Sequence, residues 1–86
     1  MKNNKPVFDI FDFGYEITEG LPKITFLGNT KVCVENFTAL EEYKNNTVKL
    51  KCKLNVIDIL GENLVIKNIR EECIEICGKI TSLRFI

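Results

Sequence analysis

The chain contains no histidine and no tryptophan, only two prolines among 86 residues, and no excess of charge of either sign. Without imidazole it lacks the commonest catalytic base and metal ligand of neutral pH. No stretch approaches the roughly 18 consecutive apolar residues that a membrane-spanning helix needs. The opening Met1-Lys2-Asn3-Asn4-Lys5-Pro6 has none of the apolar run of a secretory signal. The expectation is a chain that stays in the cytoplasm, where Cys33, Cys52, Cys73 and Cys77 remain reduced. The Asn-x-Thr sequons at Asn36 and Asn45 then carry no meaning. Twelve basic residues cancel twelve acidic ones, so little self-repulsion opposes association with a second copy or a partner.

Eighty-six residues make one domain with a thin core, since a chain of this size buries only about 60–65% of the surface its unfolded form exposes. Two regions differ in character. In residues 1–20, Asp9, Asp12, Glu16 and Glu19 recur at spacings of three and four, with Phe8, Phe11 and Tyr15 between them. That pattern predicts a short amphipathic helical turn, weakened by Gly14, Ile17 and Thr18. Its polar face is acidic, unlike helices that bind anionic lipid, so the segment is expected to pack back on the sheet.

Residues 21–86 read as an all-β domain. Ile24 and Phe26 alternate with polar residues, Gly28-Asn29 supplies a tight turn, and Val32 and Val34 continue the alternation, which describes a hairpin. Ala39 to Lys44 has helical propensity in Ala-Leu-Glu-Glu, yet it fills a strand-length interval between turn residues and is read as a short strand. Val48, Leu50, Cys52 and Leu54 alternate strictly with Lys49, Lys51 and Lys53, one apolar face against one cationic face. Asn55 to Leu60 follows past a bulge or bend, and Gly61-Glu62-Asn63 reads as a turn. Leu64 to Ile66, Ile74 to Ile80 and Ser82 to Ile86 complete the set. Six to eight short strands without βαβ alternation predict a small single-domain antiparallel meander or barrel-like sheet.

The chemistry-bearing residues offer little to catalysis. On a strand, Cys73 and Cys77 lie ~13 Å apart along one face, too far for a disulfide or a shared ion. A helix would bring them within one turn, but the alternation of Ile74 and Ile76 with Glu75 favours the strand, and the thiols read as small hydrophobes. The carboxylate pairs Glu41/Glu42 and Glu71/Glu72 are adjacent and point to opposite faces. No metal, cofactor or catalytic residue is expected. Lys49, Lys51 and Lys53 form the strongest local charge asymmetry and a candidate interaction surface, their ammonium groups recurring about every 6.6 Å. Against nucleic acid stands the lack of interleaved aromatics, and solvent-facing lysines also deter sheet aggregation.

The order of residues from Leu21 onward resembles the YabP/YqfC family of sporulation proteins. The matching elements are Leu21-Pro22-Lys23-Ile24-Thr25, Gly28-Asn29, Val34-Glu35-Asn36, Glu41-x-Tyr43, Gly61-x-x-Leu64-x-Ile66, Ile74-x-Ile76-x-Gly78-x-Ile80 and Leu83-x-Phe85. The Leu-Pro-x-Ile-Thr opening is similar to the YqfC branch, whereas Phe8, Phe11, Phe13 and Tyr15 stand where that branch has an aliphatic segment. The resemblance implies a non-enzymatic protein of the mother cell, a small cytosolic partner of an integral membrane protein at the forespore envelope where cortex and coat are built. A self-assembling component of the spore envelope is the second reading. A lipid or nucleic-acid binder acting through the three lysines is the third.

Overall fold

The computed structural model describes residues 20–71 and 73–86, so the amphipathic turn expected in residues 1–20 lies almost wholly outside the described residues. Six strands form one antiparallel sheet: β1 (Lys23–Leu27), β2 (Lys31–Glu35), β3 (Ala39–Lys44), β4 (Thr47–Lys51), β5 (Val56–Arg70) and β6 (Cys73–Phe85). Their spatial order is β1-β2-β6-β5-β4-β3. The last four strands follow one another as a meander, and the β1–β2 hairpin attaches beyond β6. The all-β reading and the strand at Ala39–Lys44 hold.

Two boundaries differ from the sequence reading. Gly61-Glu62-Asn63 does not turn the chain but lies inside the 15-residue β5, and Ile74 to Ile80 and Ser82 onward belong to the single 13-residue β6. The pairing of β5 with β6 shifts register between Leu60 and Gly61 and again between Glu62 and Val65. Residues able to adopt left-handed backbone serve a bulge as readily as a turn. The third difference is at the end of β4: the strand stops at Lys51, and Leu54, placed by alternation on the apolar face, is 73% exposed in a bend.

The bulges bend the long β5–β6 hairpin, and two glycines permit the close backbone approach there. Gly78 has φ +140° and a Cβ on it would sit 2.7 Å from the Asn63 carbonyl oxygen; a Cβ on Gly61 would strike the Lys79 carbonyl oxygen. The bend divides the sheet into two halves that share this hairpin. The first half comprises β1, β2, the start of β6 and the end of β5. The second comprises β3, β4, the start of β5 and the end of β6.

The halves are related by an internal two-fold pattern of registers. The row Ile24–Val34–Ile74–Ile69 across the first half matches Leu40–Leu50–Ile57–Phe85 across the second. The next inner row, Phe26–Val32–Ile76–Ile66, matches Tyr43–Val48–Ile59–Leu83. Each hairpin turn docks on the bend in the same way. The Thr30 and Asn29 carbonyls accept from Gly78 and Ile80 at 3.1 and 2.8 Å, and the Asn46 and Asn45 carbonyls accept from Gly61 and Leu64 at 3.1 and 2.7 Å. The inner faces form one core containing Val32, Val34, Val48, Leu50, Ile57, Ile59, Ile74 and Ile76, all fully buried, together with Cys52, Leu64 and Ile80. Each such side chain contributes about 1.5–3 kcal/mol of burial.

Candidate functional site

Alternation along each strand sends the intervening side chains to the outer faces, and there the two halves diverge. In the second half, Glu42, Lys49, Asp58 and Arg84 stand opposite one another on four neighbouring strands, a ladder of alternating sign. Lys44 and Lys49 reach Glu42 at 3.0 and 3.6 Å, and Arg84 reaches Asp58 at 2.7 Å. The Thr47 hydroxyl donates to the other Asp58 oxygen at 2.9 Å. Asp58 is only 1% exposed although it points away from the core, because its partners lie over it. Burial alone would raise the Asp58 carboxyl, but hydrogen bonds from Arg84 and Thr47, with the charges of Arg84 and Lys49, hold it below its ordinary value. Hydrogen bonding to Lys44 lowers Glu42 in the same direction.

The three lysines singled out by sequence therefore do not form one uniform row. Lys49 is half-buried and engaged by Glu42; Lys51 is exposed at the end of β4; Lys53 lies past the strand, its aliphatic stem close to Gly20. β4 is flanked by β3 on one side and β5 on the other, so these side chains guard no sheet edge. Shallow depressions flank this end, one lined by Gly20, Asn36, Phe37, Thr38 and Lys53.

The corresponding outer row of the first half is Thr25, Cys33, Glu75 and Asn68. Glu75 binds Lys31 at 2.9 Å and accepts from Asn68 at 2.9 Å, while the Cys33 thiol points to it at 3.8 Å. The hydrogen bond from Lys31, then that from Asn68, lowers the Glu75 carboxyl, and Lys31 is raised by the same contact. Cys73 and Cys77 flank Glu75 on β6, on the strand the alternation predicted, opposite Glu35 and Lys31. All four thiols are free, with Cys52 buried and the others half-buried, and burial raises Cys33 and Cys52. Among the described residues no group of three or more Cys, Asp or Glu is arranged to hold a metal ion, and no helix is long and apolar enough to cross a membrane.

The strand edges differ as well. Along the end of β5, which stays paired with β6, the backbone N–H of Ile66 donates to the Tyr43 hydroxyl at 3.0 Å, tying this strand of one half to β3 of the other. The position equivalent to Tyr43 is Phe26, which has no hydroxyl to offer the end of β6. The sequence reading gave no contact role to Asp58, to Glu75 beyond its place in the alternation with Ile74 and Ile76, or to Tyr43 beyond its place in the Glu41-x-Tyr43 element. For Asp58 a signal existed, since it is the single charge inside the apolar run from Val56 to Leu60.

Comparison with known proteins joins this architecture to a family. No solved structure matches the chain. The protein YqfC of Bacillus subtilis (strain 168) is 34% identical over 71 residues, covering 83% of this chain and 76% of that protein. The model of the YabP family matches residues 19–86, the whole of the folded sheet, and the chain belongs to that family.

Proposed function

We propose that this protein is a non-enzymatic sporulation protein of the mother cell, an adaptor or assembly factor that works with an integral membrane protein at the forespore envelope during cortex and coat formation. Membership of the YabP family carries the reading. The form of the molecule supports it: charged groups on the outer faces engage one another within the domain, while strand edges and exposed apolar residues such as Phe26, Leu27 and Phe85 remain for contact. An extended segment added to a sheet edge gains affinity from main-chain pairing and specificity from alternate side chains. Chemical cross-linking of a tagged chain in sporulating cells, followed by mass spectrometry, tests this. Reproducible recovery of one integral membrane protein is the expected result. Recovery of only the chain itself, or of coat components, would instead favour a self-assembling envelope protein, the reading supported by neutral net charge.

A further inference from the structure

We infer that the chain's own acidic and aromatic segment, residues 7–19, seats on the surface formed by residues 51–56 and Ile86 at the end of the sheet. The two halves end side by side there, because Phe37 and Thr38 lead from β2 into β3 and the Thr38 N–H and hydroxyl both donate to the Lys51 carbonyl, at 2.7 and 3.0 Å. Past Lys51 the chain turns tightly, closed by the Cys52 N–H on the Asn55 carbonyl at 2.8 Å. The depression beside Gly20 adjoins a second one lined by residues 51–56 and Ile86, with Lys53 common to both. Two of the lining residues, Leu54 and Ile86, are 73% and 62% exposed. The side-chain oxygen of Asn55 is covered yet meets no donor among the described residues, a condition that covered polar groups seldom keep.

The place where the segment joins the sheet selects it as the occupant. Gly20 rests against the Lys53 side chain, so that a Cβ on it would stand 3.2 Å from the Lys53 Cδ, and the Leu21 carbonyl is held by the Asn36 side-chain amide at 3.0 Å. Residue 19 therefore starts at the mouth of the surface. Leu54 and Asn55 directly follow Lys53, well within reach of a segment that spans ~20 Å even as a helix. Charge agrees with position: Asp9, Asp12, Glu16 and Glu19 bring carboxylates with no cation among them, while Lys51 and Lys53 stand exposed on the seat. Phe8, Phe11, Phe13 and Tyr15 supply apolar area to set against Leu54 and Ile86. A segment tethered this closely meets the surface at an effective concentration on the order of millimolar, which a free partner or a second copy at lower concentration does not match.

A seated segment leaves Phe26 and Leu27, at the other end of β1, open to the partner of the adaptor reading. The seat itself does not depend on that reading.

Fluorescence of a single tryptophan in the full chain tests it, since the chain has none of its own. Phe8→Trp and Phe11→Trp, made singly, are expected to give the blue-shifted emission of a covered indole at every protein concentration. Adding Leu54→Asp should return that emission to the water-exposed wavelength, while the circular dichroism spectrum stays that of a folded sheet because Leu54 lies outside the core. Lys51→Glu with Lys53→Glu should shift it the same way. Water-exposed emission at both reporter positions before Leu54 is touched would overturn the assignment, as would a covered emission that Leu54→Asp leaves in place. So would a covered emission that develops only as protein concentration rises, the mark of a second copy, or only on adding phosphatidylglycerol vesicles, the mark of a lipid surface.

Discussion

The two halves of the sheet bury nearly the same inner rows yet carry different outer ones. Ile76 and Ile59, Ile74 and Ile57, Val32 and Val48 occupy equivalent places in one core. On the outside, Thr25–Cys33–Glu75–Asn68 stands where the second half has Glu42–Lys49–Asp58–Arg84. Burial constrains shape and polarity on the inside, and the outside is free to differ as long as each covered polar group finds a partner. Asp58 and Glu75 meet that condition with different neighbours.

The sharpest way to break the correspondence is at the bend both halves share. Gly78→Val forces a side chain into the Asn63 carbonyl at a backbone angle that only glycine adopts easily, and should cost about 3–5 kcal/mol in a denaturant titration. Gly28→Ala, also at positive φ but with open space around its Cβ, should cost only about 1 kcal/mol. Equal losses at the two sites would show that the bend does not depend on close backbone approach.

On the outer faces, Asp58→Asn removes a covered carboxylate from Arg84 and Thr47 and should destabilise by about 2 kcal/mol. The same residue sets an acid response. Because its folded pKa is lowered, its contribution is complete above the ordinary carboxylate value near 4 and disappears as pH falls through the lowered one. Glu42 and Glu75 act in the same direction. Lys31 is raised, so its contribution is intact below about 10.5 and is lost as pH rises through the higher folded value. Thermal melts from pH 6 down to 2 should fall for the wild type and fall less steeply for Asp58→Asn.

A smaller effect separates the edges. Tyr43→Phe removes the hydroxyl that receives the Ile66 N–H and should cost about 1 kcal/mol, with amide exchange at Ile66 rising more than at the core amide of Ile59. The smallest effect is expected from replacing Lys49, Lys51 and Lys53 together by glutamine. Stability should change by no more than ~1 kcal/mol, and sporulation should survive. Lost sporulation, with binding to anionic vesicles that weakens steeply in salt, would revive the lysine surface as the functional one.

The alternation in β2 and β4 was legible because one face of each strand is wholly apolar. The run through Gly61 and Asn63 was not, because the same residues that make a turn also make a bulge, and only the partner strand decides between them. Lys49 looked free in sequence because its partner Glu42 lies on another strand in a register that a bulge shifts. The ladder through Asp58 joins residues as far apart as Glu42 and Arg84, beyond any local pattern.

The hairpin shared between the halves also orders their assembly in time. In the second half each strand meets its sequence neighbour, from β3 through to the end of β6. The first half closes only when Val34 finds Ile74, forty residues further along, and the chain entropy of that loop must be spent before any contact repays it. Folding should therefore run from the carboxyl-terminal meander toward the β1–β2 hairpin, with Ile59→Val slowing folding and Ile76→Val, at the place where β2 docks, mainly speeding unfolding. A chain still emerging from the ribosome would have its first hairpin waiting, unpaired on one side, until the last strand arrives.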